Sequence, residues 1–155
     1  MIRTGDLLVA YSRNYLDSKH LNDWAISLLE QGYNGKNINI AASCEELSWQ
    51  DVHVYFKKIL KELNITSDLD SNIDSMKQKI FLEEYKAGLR LGGELLHELD
   101  SLRKEIGFYD MIGLTIIGDD YKGKCKGGYH TLDKKLYGEA LENEIRLHLV
   151  QHGKI

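Results

Sequence analysis

An all-α fold is what this amino-acid sequence predicts, and three observations carry the expectation. Apolar residues recur at three-and-four spacing over most of the chain, the periodicity of a helix that buries one face. Residues that start helices precede these stripes, and glycine or asparagine follows them. Only the stretch near 108–130, rich in glycine, breaks the pattern. The expected architecture is therefore a compact array of six or seven helices in a single helical domain over 1–155, with one irregular segment near 108–130.

The first helix is expected from Thr4, with Leu7, Leu8, Tyr11 and Tyr15 on one side, until Asp17-Ser18 interrupts it. Asp17 or Ser18 then caps a second helix whose Leu21, Trp24, Ala25, Leu28 and Leu29 share a face, with Gly32 as its left-handed terminator. Asn34-Gly35 makes a turn. Ile38, Ala41 and Ala42 mark a short third helix that stops near Cys44-Glu45-Glu46, its alanine face small enough for close packing.

The fourth helix, Ser48 to Ile65, is the most completely specified. Ser48 accepts from the Asp51 N–H while the Asp51 carboxylate reaches back, as in a capping box. Val52, Tyr55, Phe56, Ile59, Leu60 and Leu63 form the buried face, with Lys57, Lys58, Lys61 and Glu62 opposite, and Asn64 ends the helix. A polar connection from Thr66 to Asn72 supplies a cap at Asp70 or Ser71. The long helix after it carries Ile73, Met76, Ile80, Phe81, Tyr85 and Leu89, and Gly92-Gly93 should break or sharply kink it. A sixth helix from Glu94 aligns Leu95, Leu96, Leu99, Leu102 and Ile106 and ends at Gly107. Between Phe108 and His130 a loop with short helical or extended pieces is expected, since a lone strand would need a partner. The last helix should start near Thr131 and use Leu132, Leu136, Tyr137, Ala140, Leu141, Ile145 and Leu149. Trp24, Tyr55, Phe56, Phe81 and the Leu95 to Ile106 stripe are the expected core.

With 43% hydrophobic and 28% charged residues, the composition is that of a folded globular chain. No apolar run approaches the roughly 20 residues that span a bilayer, and Met1-Ile-Arg-Thr-Gly-Asp breaks too early for a signal peptide, so a cytoplasmic protein is expected. Cys44 and Cys125 read as free thiols rather than a disulfide. The net charge of −4 is uneven: residues 1–120 hold 13 Lys/Arg against 20 Asp/Glu, and residues 121–155 hold 7 against 4. Such a surface repels a nucleic-acid backbone and attracts a basic protein. The chain has no proline, and so none of the stiff linkers that separate domains.

From Asp23-Trp24-Ala25 through Leu28-Leu29-Glu30-Gln31-Gly32-Tyr33, then Ala41-Ala42 and Leu60-Lys61-Glu62-Leu63-Asn64-Ile65, the chain resembles a group of short all-helical bacterial proteins. Some of these look like immunity partners of secreted or contact-delivered toxins. The resemblance covers about residues 20–65 and lies in a packing pattern. It implies a binding role and transfers no functional residue.

Motifs for chemistry are sparse. Gly118-Asp-Asp-Tyr-Lys-Gly123-Lys124-Cys125 follows phosphate-loop spacing up to its last position, where cysteine replaces the Ser or Thr that would hold magnesium. Asp119 and Asp120 would also face phosphate charge, and no helix opens after the loop. His148 and His152, four apart, have the spacing of two metal ligands, with Glu144 a turn back, but histidines in a last helical turn are also explained by the helix dipole. His53, beside the apolar stripe, reads as a partly buried structural residue. There is no Gly-x-Ser-x-Gly elbow, and the adjacent pairs Glu45-Glu46, Glu83-Glu84 and Asp119-Asp120 diverge by about 100° if helical. Lys122, Lys124 and Lys126 beside Tyr121 and Tyr129 make at best a weak nucleic-acid contact.

The leading expectation is a non-enzymatic immunity protein that binds and occludes a toxin, such as a basic nuclease, with no cofactor. Its contact residues would be the acids flanking the Ser48 helix: Glu45, Glu46, Asp51, Asp68, Asp70 and Asp74. Two alternatives are a small enzyme or nucleotide-binding protein that uses the 108–130 loop, and a helical oligomerisation or adaptor module.

Overall fold

The computed structural model describes residues 2–65, 68–108, 129–131, 134–136 and 138–155. Its fold is all-α, as the periodicity predicts, with eight helices among the described residues and one short hairpin. The chain divides into two compact units, Met1–Ile80 and Phe81–Ile155.

The first unit contains α1 (Thr4–Ser12), α2 (Ser18–Glu30), α3 (Lys36–Ser43), α4 (Trp49–Glu62) and the beginning of α5 (Leu69–Lys86). Asp17 caps α2 by accepting from the His20 N–H at 2.8 Å. Gly32, at φ +88°, closes α2 by letting the Tyr33 N–H return to the Leu28 carbonyl at 3.0 Å. Asn64 does the same for α4 at φ +56°, with the Ile65 N–H on the Leu60 carbonyl. Ser48 caps α4 as expected, accepting from Asp51 N–H at 3.1 Å. The Asp51 carboxylate differs from a capping box: it accepts the Ser48 hydroxyl at 2.6 Å rather than the Ser48 backbone N–H, because an Asp side chain is one methylene shorter than Glu.

These helices bury one continuous core in which Trp24, Phe56, Leu21, Ala25, Val52, Ile59 and Leu60 are almost wholly inaccessible. Trp24 and Phe56 meet edge to face at 5.4 Å. Tyr55, expected in the core, lies partly buried against it. The chain between α3 and α4 is held from α2: Asn22 Nδ2 donates to the Ala41 and Ala42 carbonyls at 3.0 Å, and Ser18 bridges the Glu45 carbonyl and the Leu47 N–H. That anchoring fixes where α4 begins.

Helix α1 is shorter than its stripe implies. It ends at Ser12, Asn14 turns the chain at φ +57°, and Tyr15 stands half exposed beyond the helix. Helix α5 starts at Leu69, so Asp70 and Ser71 lie inside its first turn instead of capping it, and the backbone bends at Asn72 (φ −130°, ψ 19°).

In the second unit α5 ends at Lys86, because Gly88 adopts φ +72° and the Leu89 N–H returns to the Glu84 carbonyl at 2.8 Å. Leu89 is thereby removed from the stripe and left 46% exposed. Gly92-Gly93 open a helix instead of breaking one: α6 spans Gly92–Glu98. The expected Leu95 to Ile106 helix is split at Leu99 (φ −117°, ψ 78°), and α7 spans Asp100–Glu105 before Gly107 terminates it at φ +85°. This split takes the helix count to eight. The last helix, α8, spans Gly138–Gln151 rather than starting near Thr131. Residues before it form a hairpin of β1 (Tyr129–Thr131) and β2 (Lys134–Leu136), with Tyr129 opposite Leu136. Pairing with a neighbouring segment therefore overrides the helical spacing there. Among the described residues, Phe81, Leu95, Leu96, Leu99, Leu102, Ile106, Phe108, Leu141, Ile145 and Leu149 are the buried large apolar residues of this unit.

Candidate functional site

The site with the most chemistry lies within the first unit, where the end of α1, the outer side of α4 and the start of α5 enclose a surface cleft of about 350 Å³. Tyr11, Asn14, Trp49, His53, Asp70 and Ile73 line it. Trp49, His53 and Lys57 are spaced four apart on α4, one turn to the next, so they form a row along the helix.

At one end of the row Asp70 takes two hydrogen bonds. The Tyr11 hydroxyl donates to Oδ1, and Lys57 Nζ donates to Oδ2 at 2.6 Å. The Lys57 ammonium lowers the Asp70 pKa, helped by the Tyr11 hydroxyl. Lys57 is in turn raised, first by the Asp70 bond. Tyr11 is raised by burial and then by its bond to the carboxylate, so the phenol keeps its proton.

The other end is aromatic. His53 lies against Trp49 at 4.0 Å and meets the Tyr11 ring edge-on at 5.0 Å. Its Nε2 is buried without a hydrogen-bond partner. Burial, and next the Lys57 charge, lower its pKa, so the imidazole is neutral at pH 7. His53 is half-buried, in keeping with a structural reading of the sequence. Trp49 remains 59% exposed.

Of the six acids expected at a contact surface, only Asp70 enters the cleft. Asp51 is occupied by Ser48, Asp68 accepts the Ser71 hydroxyl, and Asp74 pairs with Lys77 at 3.1 Å. Glu45 and Glu46 are exposed in the connection before α4. The acids are therefore not one collar around α4: local partners take up Asp51, Asp68 and Asp74, and Asp70 is held by Tyr11 and Lys57 from other helices.

His148 and His152 are placed differently from each other. His148 Nδ1 donates to the Ile106 carbonyl, Nε2 faces the Glu144 carboxylate at 3.3 Å, and the ring lies 4.7 Å from Phe108. His148 thus ties α8 to the end of α7. His152 is exposed. Among the described residues no three His, Cys, Asp or Glu side chains gather as a metal site would require. The phosphate-loop-like stretch Gly118 to Cys125 lies outside the described residues, as do the lysines at 122, 124 and 126. No helix among the described residues is long and apolar enough to cross a membrane.

Trp49, Tyr11 and Lys57 are the residues that sequence reasoning missed. Tyr11 reads as core and Lys57 as a solvated charge when each helix is considered alone. The four-residue spacing of Trp49, His53 and Lys57 was the available signal. No family model, curated protein or solved structure matches the chain.

Proposed function

We propose that this is a non-enzymatic binding protein, an immunity protein that neutralises a toxin by direct contact, and that the cleft between α1, α4 and α5 is where it meets its partner. The observation that carries this reading is Trp49, an indole 59% exposed at the cleft and braced from behind by His53 at 4.0 Å. Tryptophan and tyrosine beside a pocket are the usual energetic anchors of protein interfaces. A braced ring also loses little freedom when a partner covers it.

The neighbouring groups are poorly arranged for catalysis. Tyr11 is held protonated, Asp70 is held by two donors, and His53 offers its buried Nε2 to no nucleophile. The net charge of −4 steers a basic partner, such as a nuclease toxin, at long range. The resemblance over residues 20–65 points the same way and includes all of α4.

The test is to isolate the full-length protein from the cells that encode it, identify what accompanies it, and measure the affinity of the purified pair. The expected result is a toxin whose activity is inhibited at one equivalent, with Trp49→Ala weakening binding about 30-fold or more. Isolation without a toxin partner, or an unchanged affinity for Trp49→Ala, would overturn the proposal.

A further inference from the structure

The cleft's charge balance restricts what can occupy it. Among the described residues Asp70 is its one acidic lining group, and Lys57 at 2.6 Å matches that charge. A cationic side chain entering the cleft meets Lys57 beside the carboxylate it would seek, and an anionic one meets Asp70 itself. The remaining lining is aromatic, aliphatic or uncharged polar: Trp49, Tyr11, Ile73 and the neutral imidazole of His53 with Ser12 and Asn14. The Ser12 hydroxyl is already donated to the Val9 carbonyl at 2.9 Å. Asp70 keeps acceptor capacity, since each carboxylate oxygen has a second lone-pair direction and the side chain is 63% exposed.

From this we infer that the cleft accepts an uncharged aromatic side chain that carries a hydrogen-bond donor, a tyrosine or tryptophan presented by a protein partner, with its ring against Trp49 and its donor on Asp70. The inference rests on the proposal that this cleft is the contact site, and it adds the chemistry of the occupant. A basic partner would then be drawn in by the net charge of the whole chain but anchored by an aromatic group. Volume agrees: about 350 Å³ is at the small end of ligand pockets, suited to one or two side chains rather than a large cofactor. The exposed indole supplies ring area for stacking.

Side-chain probes test this without knowledge of the partner. Isotope-labelled full-length protein is titrated by NMR with p-cresol, toluene, methylguanidinium and acetate. The expected result is saturable shifts from p-cresol at the Trp49 indole and at the α1, α4 and α5 residues of the cleft, with affinity on the order of millimolar. Trp49→Ala should abolish them. Asp70→Ala should weaken p-cresol about tenfold while leaving toluene unchanged, the loss of one charge-assisted hydrogen bond. Stronger shifts from methylguanidinium or acetate at the same residues, p-cresol shifts that survive Trp49→Ala, or no saturable shift from p-cresol would each overturn the inference. If p-cresol binds as expected but no toxin accompanies the protein, the immunity reading fails and the occupant stands. If a toxin binds through Trp49 while p-cresol leaves the cleft unshifted, the occupant alone fails.

Discussion

Between residues 1–80 and residues 81–155 the treatment of charge differs more than the treatment of apolar surface. All three charged side chains that are almost wholly buried among the described residues, Glu84, Arg90 and Arg103, belong to the second unit. Arg90 donates to Glu84 through Nε and Nη2, both at 2.8 Å, while its guanidinium lies 3.7 Å from the Phe81 ring centre. Arg103 pairs with Asp100. In the first unit no charged side chain among the described residues is almost wholly buried, and its coupled charges Asp70 and Lys57 lie at the rim of an open cleft. Buried charges must keep their partners, so those of the second unit constrain structure. Exposed charges beside an exposed tryptophan remain available to something else.

One device is common to both units. Glu62 at the end of α4 caps the start of α3, taking the Asn37 N–H at 3.0 Å and the Ile38 N–H at 3.3 Å. Glu142 on α8 caps α6 through the Gly92 and Gly93 N–H groups at 2.9 and 3.2 Å. Each cap needs a glycine for close approach: a Cβ on Gly35 would fall 2.3 Å from Glu62 Oε2, and one on Gly92 would fall 2.8 Å from Glu142 Oε2. A carboxylate at a helix N-terminus satisfies orphan donors and meets the positive end of the dipole.

The contrast in charge can be broken most strongly at Glu84. Glu84→Ala removes the carboxylate that takes the Nε and Nη2 bonds of a buried guanidinium and should cost about 3–5 kcal/mol in denaturant unfolding, with Glu84→Gln/Arg90→Met recovering much of the loss. A small effect of Glu84→Ala would mean that the pair is not the constraint its burial implies. The shared caps come next: Glu62→Ala and Glu142→Ala should each cost about 1–3 kcal/mol, since each removes a charged acceptor from two backbone donors. Unequal losses would show that only one unit depends on its cap.

Asp70 should have a smaller effect because it is exposed. Its pKa is depressed in the folded state, so the pair contributes fully above the ordinary carboxylate value of about 3.9 and is lost as pH falls through the depressed value. Asp70→Asn should therefore be less stable than wild type by under about 1 kcal/mol at pH 7, a gap that closes in acid. A gap independent of pH would assign the effect to packing instead. Least affected should be Trp49→Ala, with stability within about 0.5 kcal/mol of wild type by thermal or denaturant unfolding. A larger loss would make Trp49 part of the fold and weaken its reading as a contact residue.

Much of the fold is legible in local pattern. The Ser48 cap, the Asn64 and Gly32 terminators and the buried row Val52, Phe56, Ile59 and Leu60 follow from residues within one or two turns of each other. Legibility failed where a distant or unpatterned group decided the outcome. Glu62 lies among lysines on what reads as a solvated face, yet it caps a helix 25 residues away. Leu99 sits on an unbroken apolar stripe, yet the backbone there divides α6 from α7. Leu136 fits the stripe of the last helix, yet it pairs with Tyr129 in a hairpin. In the cleft, Asp70 was singled out as one of six acids, but its partners Tyr11 and Lys57 lie 59 and 13 residues away.

By itself, then, the sequence determined the all-α class, most helix boundaries in the first unit and the residues that fill its core. These depend on backbone propensity, capping and the 3.6-residue repeat, all of which act over a few residues. Only the tertiary structure decided which acids are locally neutralised, which carboxylates cap other helices, and that Tyr11, Trp49, His53 and Asp70 share a cleft. Those outcomes depend on where the helices come to rest against one another, and side-chain hydrogen bonding and charge pairing act across that geometry with no period in the sequence to announce them.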